Sequence, residues 1–290
     1  MEVLDARCQA RGVTEDADQP VDQPVARHVA IVTGANHGIG AATAVALAAQ
    51  GCAVVCAYHR LPPDPVPGEP PAYAEHRARS ADDVVARIAA AGGRAVGVEA
   101  DLRDPAAPAR LFDAAEAAFG PVDVLVNNAS GWVQDTFAPA TTDGLGRPMQ
   151  PVTHGTVTQS LAVDGVAAAL LIAELARRQA ARGATWGRVV GLTSEGRDGF
   201  PNEVSYGAAK AAMESWTLAA ATELAHLGVT ANVVRPPVTD TGWITDAVRE
   251  FVAASPAHTH VATPEQVAQV IAWLCSDAAD LVSGNRIVLR

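Results

Sequence analysis

Short apolar runs, each closing near a turn-forming residue, recur along this sequence and alternate with stretches of helical periodicity. The runs fall at 28–34, 53–57, 94–98, 123–126, 188–192, 229–234 and 286–289. They are too continuously apolar for half-exposed strands and match strands buried on both faces. Between them, helices are expected at 41–50, 80–91, 107–119, 155–182, 205–226, 245–254 and 264–275, with Ser80 as an N-cap and Asp82 and Asp83 in the first turn behind it. Strand-helix alternation with no break in composition predicts an α/β doubly wound fold: a seven-stranded parallel sheet flanked by helices, in a single domain over 28–290. Residues 1–27 lack a hydrophobic period and contain Pro20 and Pro24, which predicts a flexible N-terminal extension. Six prolines between Leu61 and Tyr73 predict a surface loop.

The bulk numbers exclude several function classes. A formal charge of −11, with no cluster of Lys or Arg, argues against a nucleic-acid partner. No apolar run approaches membrane-spanning length, and no basic segment followed by an apolar one opens the chain, so the expectation is a cytoplasmic protein without a membrane partner. Cys8, Cys52, Cys56 and Cys275 fit neither a paired metal motif nor a CxxC redox site, and Cys52 and Cys56 flank an apolar run as buried small residues would. His258 and His260 stand without a visible third ligand, so no metal site is expected.

Between the first strand and the first helix stands Thr33-Gly34-Ala35-Asn36-His37-Gly38-Ile39-Gly40. Glycines there permit a tight turn and let a phosphate approach backbone N–H groups, to which the helix adds its positive end. Farther on, Tyr206 and Lys210 are four residues apart on an expected helix, which puts both side chains on one face. An ammonium beside a phenol stabilises phenolate and makes the tyrosine a usable general acid/base.

The TGxxxGxG spacing, followed in order by Asn127-Asn128-Ala129 and by YxxxK, resembles the short-chain dehydrogenase/reductase family of classical type, over nearly all of 28–290. The resemblance implies a Rossmann fold and reversible hydride transfer between a nicotinamide cofactor and a ketone or secondary alcohol. It implies cofactor contacts from Thr33, Gly34, His37, Gly38, Ile39, Gly40, Asp101, Leu102, Asn128 and Ala129. Tyr206 and Lys210 would meet the nicotinamide ribose as well as the substrate. Past the sixth strand, Pro236, Val238 and Thr239 would cover the nicotinamide carboxamide, and 240–254 would form a lid in which Trp243, Ile244 and Phe251 are candidates to touch substrate. NADP(H) is favoured over NAD(H), because the second strand ends Tyr58-His59-Arg60 without a carboxylate. Arg60 offers a guanidinium to a 2′-phosphate, and His37 occupies a loop position where similar NADP enzymes carry a basic residue.

The family's serine corresponds to Ser194, twelve residues before Tyr206 with one residue deleted from the connecting loop, in preference to Thr193, which has the usual spacing of about thirteen. Asp164 stands where the family has an asparagine that supports proton relay, Ser130 where NNAG ends in glycine, and Pro237 where PGxxxT has glycine. A carboxylate at 164 is expected to oppose phenolate while attracting Lys210, and so to alter the pH optimum. The expected substrate is a small carbonyl or alcohol, with a 3-oxoacyl or polyketide-like ketone in view, and family members are commonly dimers or tetramers built on two long helices. The rival reading is a redox-silent dinucleotide-binding sensor or scaffold. A tailoring enzyme that uses the tyrosine for dehydration or epimerisation is a third.

Overall fold

A computed structural model of the chain describes residues 27–62, 64, 70–194, 199–256 and 259–290. Its strands are β1 (Val29–Thr33), β2 (Ala53–Tyr58), β3 (Arg94–Glu99), β4 (Val124–Asn127), β5 (Asp135–Thr136), β6 (Gln150–Pro151), β7 (Gly187–Leu192), β8 (Val229–Arg235) and β9 (Arg286–Val288). Seven of them form one parallel sheet in the order β3-β2-β1-β4-β7-β8-β9, while β5 and β6 pair by themselves. The chain runs outward from β1 to β3, then returns to lay β4 on the other side of β1. Ligand crevices in such sheets open at this reversal, beyond the carboxyl ends of β1 and β4.

The helices are α1 (Gly38–Ala49), α2 (Pro71–Ala78), α3 (Asp82–Ala90), α4 (Ala107–Phe119), α5 (His154–Ser160), α6 (Ala168–Ala181), α7 (Val204–Glu223), α8 (Asp246–Ala254) and α9 (Pro264–Leu274). A π-helical turn, Leu161–Ala167, joins α5 to α6. Two cores sandwich the sheet. Ala30, Val32, Val54 and Cys56 meet Leu47 of α1, Ile88 of α3 and Ile271 of α9. Val29, Ile31, Val55 and Ala57 meet Leu111 and Phe112 of α4 and Leu171 and Leu175 of α6. Successive strand residues thus alternate between the two faces, as the period of two requires, and each such Leu or Ile contributes about 1.5–3 kcal/mol over its exposed state. Cys52, Cys56 and Cys275 are buried free thiols in the first core.

Four expectations change. The proline-rich stretch is not all loop, because it ends in α2, whose Pro71 sits at the first helical position where a missing N–H costs nothing. The N-cap of α3 is Ala81 rather than Ser80, although the Ser80 hydroxyl still accepts from the Asp82 N–H at 3.3 Å. The long helix is broken in register by its π turn. Finally, the 28-residue stretch His154–Ala181 is long and apolar enough to cross a membrane, contrary to the reading of the runs. Here its apolar side is spent on the protein: Leu171, Ile172 and Leu175 pack into the second core, and Arg178 pairs with Glu174, Asp113 and Glu116. Arg27 pairs with Asp277 at the edge of the fold, whereas the rest of the expected extension, and Cys8 with it, lies outside the described residues, as does His258.

Candidate active site

The glycine loop is fastened to the end of β4 through Thr33. Its hydroxyl donates to the Val126 carbonyl at 3.3 Å and accepts from the Asn128 and Ala129 N–H groups, both at 3.0 Å. Asn128 returns the tie, its Nδ2 donating to the carbonyls of Thr33 at 2.8 Å and Gly34 at 3.2 Å. Gly34 and Gly38 have φ of 65° and 56°, a region that disfavours side chains. At Gly40 a Cβ would stand 2.1 Å from the Gly34 carbonyl oxygen, so only glycine closes this turn. The N-cap of α1, His37, makes no side-chain cap, which leaves the helix's first N–H groups to an anion. A cradle of this shape, with bare helix N–H groups, fits the pyrophosphate of a dinucleotide.

The other expected contacts surround this cradle. Thr239 is buried beyond β8, and Thr241 lies where a Cβ on Gly38 would touch it at 2.9 Å, so the segment after Pro236 and Val238 covers the loop. Leu102 joins Thr33, Asn127, Ala129, Asp164 and Lys210 around a cavity of ≈ 10 Å³. The Asp101 carboxylate is gripped by Arg103 at 2.6–3.0 Å, whose hydrogen bonds hold its pKa down to about 2. Arg60 is likewise engaged: its guanidinium meets Glu99 at 2.6 and 3.0 Å. The carboxylate missing from the tip of β2 is therefore delivered by the neighbouring β3. His37 is pushed down to about 4, by burial first and then by His76 and Arg77, so its ring is neutral at pH 7.

The proton-handling residues converge where β7 ends and α7 begins. Ser205 anchors the helix start, its N–H donating to Asp135 Oδ1 at 2.9 Å and its hydroxyl to Oδ2. The Lys210 ammonium donates to the Leu192 carbonyl at 2.7 Å and lies 2.9 Å from Asp164 Oδ1 and 5.6 Å from the centre of the Tyr206 ring. Of the two candidates for the family's serine, Ser194 is the one whose side chain acts on the Tyr206 phenol, lowering its pKa. The Thr193 side chain is buried, and its N–H donates to the Val234 carbonyl. Burial pushes the Tyr206 phenol up to about 12, with Asp164 and Glu203 adding to the rise and Lys210 and Ser194 opposing it. Burial works against charge on Lys210, yet Asp164 and Tyr206 bring its pKa out above the ordinary value.

Asp164 sits in the π turn and is almost fully buried. Its Oδ2 accepts from the Gly131 N–H at 2.7 Å and from the Ser130 hydroxyl at 3.3 Å. Two of the departures from the family pattern, Ser130 and Asp164, therefore touch. Sequence reading did not connect them, and the thirty-three residues between them carry no signal that could. It also missed Glu203, which precedes α7, accepts from Trp132 Nε1 at 2.9 Å, and has its pKa raised by burial.

A dinucleotide cradle at the switch point of a parallel sheet ordered β3-β2-β1-β4-β7-β8-β9, beside a Ser-Tyr-Lys cluster, defines a nicotinamide-dependent oxidoreductase fold. Residues 71–289 match the family model described as enoyl-(acyl carrier protein) reductase. The chain is 36% identical over 266 residues to cis-4-hydroxycyclohexanecarboxylate dehydrogenase of Sinomonas cyclohexanicum, covering 89% of this chain and 93% of that protein. Among solved structures it resembles the NADP-bound 3-oxoacyl (acyl-carrier-protein) reductase of Agrobacterium tumefaciens, with TM-score 0.75, 26% identity, and coverage of 91% and 93% of the two chains. It also resembles the angucycline C-6 ketoreductase LanV with bound NADP, with TM-score 0.73, 27% identity, and coverage of 91% and 94%. The chain belongs to the classical short-chain dehydrogenase/reductase family, and it is an oxidoreductase of that family.

Proposed function

We propose that this protein is an NADP(H)-dependent reductase that interconverts a ketone and a secondary alcohol, as one cytoplasmic domain over 28–290 working in a homodimer or homotetramer. The observation that carries this reading is the meeting of Ser194, Tyr206 and Lys210 at the sheet's carboxyl edge, next to the glycine cradle. A bound nicotinamide supplies or accepts the hydride, and the residues of the chain handle the proton. At neutral pH Tyr206 is a phenol and gives its proton to the substrate oxygen, to which Ser194 donates a hydrogen bond. Lys210, kept charged by Asp164, offsets the negative charge left on Tyr206. Thr33, Gly34, Gly38, Ile39, Gly40, Asn128 and Ala129 would hold the cofactor's phosphates and adenosine side. Asp101 and Leu102 would flank the adenine, and Pro236, Val238 and Thr239 the carboxamide.

The relatives named above support a ring-bearing or 3-oxoacyl ketone as the substrate class. Two of the similar structures hold NADP, and Arg60 stands at the tip of β2, which supports NADP(H). Glu99 at that same tip supports the second reading, NAD(H), since a carboxylate there suits free ribose hydroxyls. Oxidation and reduction of a ketone and alcohol panel with both cofactors, followed by cofactor absorbance, tests the whole reading. Tyr206→Phe is expected to lower kcat by about 10²–10⁴-fold, a loss far larger than any in cofactor binding. Cofactor binding without turnover across the panel would replace this reading with the redox-silent sensor.

A further inference from the structure

We infer that Glu203 is a positioning residue for Tyr206: it fastens the first turn of α7 to the segment 131–149, in which Trp132 and Arg147 are the clamps. This rests on the reading of Tyr206 as proton donor given above and deepens it. Glu203 is the N-cap of α7, and Tyr206 is the third helical residue after it. An N-cap side chain ordinarily turns back to bond the helix's own first N–H groups. Glu203 makes no such cap. Its carboxylate is divided instead between Trp132 Nε1, at 2.9 Å from Oε2, and Arg147 Nη2, at 3.2 Å from Oε1. The helix receives its capping acceptor from the same segment: Asp135 Oδ1 takes the Ser205 N–H at 2.9 Å, and Oδ2 the Ser205 hydroxyl. Arg147 is itself fixed, its Nε donating to Asp143 Oδ2 at 2.7 Å and its N–H to Asp143 Oδ1 at 2.8 Å. Asp143 also accepts from the Leu145 N–H and from Gln134 Nε2, both at 2.9 Å. The start of α7 is thus tied to one strap at Trp132, Asp135 and Arg147.

The strap also reaches the other side of the proton-handling pair. The Gly131 N–H donates to Asp164, the carboxylate that faces Lys210, and the next residue is Trp132. Two successive residues therefore hold the two carboxylates that act on Tyr206. Little slack remains at this step: a Cβ on Gly131 would stand 2.5 Å from the Gln159 carbonyl oxygen, and the Gly131 carbonyl accepts from the Ser160 hydroxyl at 3.2 Å. The aromatic neighbour of the phenol depends on residue 203 as well. The Phe200 ring lies 5.8 Å from that of Tyr206, and the Phe200 carbonyl accepts from the Glu203 N–H at 3.1 Å. Four groups act on the phenol: Lys210 on α7, Asp164 on the π turn, Ser194 past β7, and Glu203. Asp164 and Glu203 favour the proton on Tyr206, and Lys210 and Ser194 oppose them. Glu203 in turn faces Arg147 and Asp143. Residue 203 thus sets both the place of the phenol and part of its hold on the proton.

The test is steady-state kinetics of the full chain on a ketone and an alcohol of the panel above, across pH, with amide hydrogen exchange of the unliganded protein. Glu203→Ala is expected to lower kcat by about 10–100-fold, a larger factor than any change in KM. Exchange at 131–149 and at 203–207 should quicken together, because the two stretches lose a shared tie. Glu203→Gln keeps an acceptor for Trp132 and removes the charge. It should recover most of the lost kcat, while its alcohol-oxidation profile rises at lower pH than the parent's, since one charge holding the proton on Tyr206 is gone. Trp132→Phe, which removes one donor and little volume, should lower kcat by a smaller factor than Glu203→Ala. Melting curves guard against a folding defect, and Trp132→Phe carries the kinetic comparison if the alanine variant unfolds. Parent-like kcat in Glu203→Ala or in Trp132→Phe, a change confined to KM, or a glutamine variant whose pH profile overlays the parent's overturns the inference and leaves the oxidoreductase reading in place. A parent protein that turns over nothing in the panel overturns both.

Discussion

Asp164 decides how this site differs electrically from one built around an amide. Its carboxylate faces the Lys210 ammonium at 2.9 Å and takes hydrogen bonds from Gly131 and Ser130 on its other oxygen. The charge raises both neighbours: it holds the proton on Tyr206 and keeps Lys210 cationic. Removing it lowers the Tyr206 pKa, so phenolate forms at lower pH. In Asp164→Asn, the pH profile of alcohol oxidation, which needs the base form, is therefore expected to rise at lower pH than in the parent. The loss of ketone reduction, which needs the acid form, should begin at lower pH as well. Superimposable kcat/KM profiles for the two proteins would refute this. Stability moves in parallel. Asp164→Ala strands a buried ammonium and should cost about 3–5 kcal/mol in urea unfolding, whereas the asparagine variant loses less, because its amide oxygen can still accept from Gly131. Lys210 adds a sign of its own. Its folded pKa lies above the unfolded value, so its contribution is complete below about pH 10.4 and is lost as pH rises through the folded value.

Two helices hold this cluster, and their glycines show how closely each is fitted. Within the π turn, a Cβ at Gly165 would meet Leu161 at 3.4 Å and Ala212 at 3.7 Å, both ordinary contacts. Gly165→Ala is expected to gain about 0.5–1 kcal/mol from the stiffer unfolded chain, with kcat unchanged. In α7 a Cβ at Gly207 would stand 2.4 Å from the Phe200 Cβ, and the Phe200 ring lies 5.8 Å from that of Tyr206. Gly207→Ala should cost about 1–3 kcal/mol and move the phenol, so stability and kcat fall together. Thermal melts and single-turnover rates on both variants decide the contrast, and equal effects would refute it.

The same elements show what was readable in advance. The seven strands were legible because burial on both faces demands unbroken apolar runs, and Tyr206–Lys210 because four residues on a helix share a face. Helix α2 was hidden because proline density argues against helix in general, whereas proline at the first helical position does not. The π turn has no local pattern of its own, since one extra residue per turn leaves composition unchanged. Ser194 and Thr193 could not be separated by counting, because the choice depends on which side chain faces Tyr206 across the strand end.

At the scale of the whole molecule, the surface of the two long helices carries exposed apolar side chains. Val166, Leu170 and Trp216 are 53%, 37% and 47% exposed, and they lie on the π turn, α6 and α7. Their helices pack against each other, with Asp164 on one and Tyr206 and Lys210 on the other turned inward. An apolar face of this kind is covered most simply by the same face of a second copy, since a two-fold axis makes a surface complementary to itself. A tryptophan in such a face is a natural anchor. The parent chain is therefore expected to sediment at two or four times its own mass at micromolar concentration. Val166→Asp with Trp216→Glu should weaken association by about 100-fold, or about 2.7 kcal/mol. Because the reverse sides of these helices carry the proton-handling residues, dilution of the variant should lower specific activity as monomer accumulates, while its melting curve keeps a single cooperative transition. A parent chain that is monomeric at those concentrations, or a variant that associates as tightly, would show that this apolar face has another purpose.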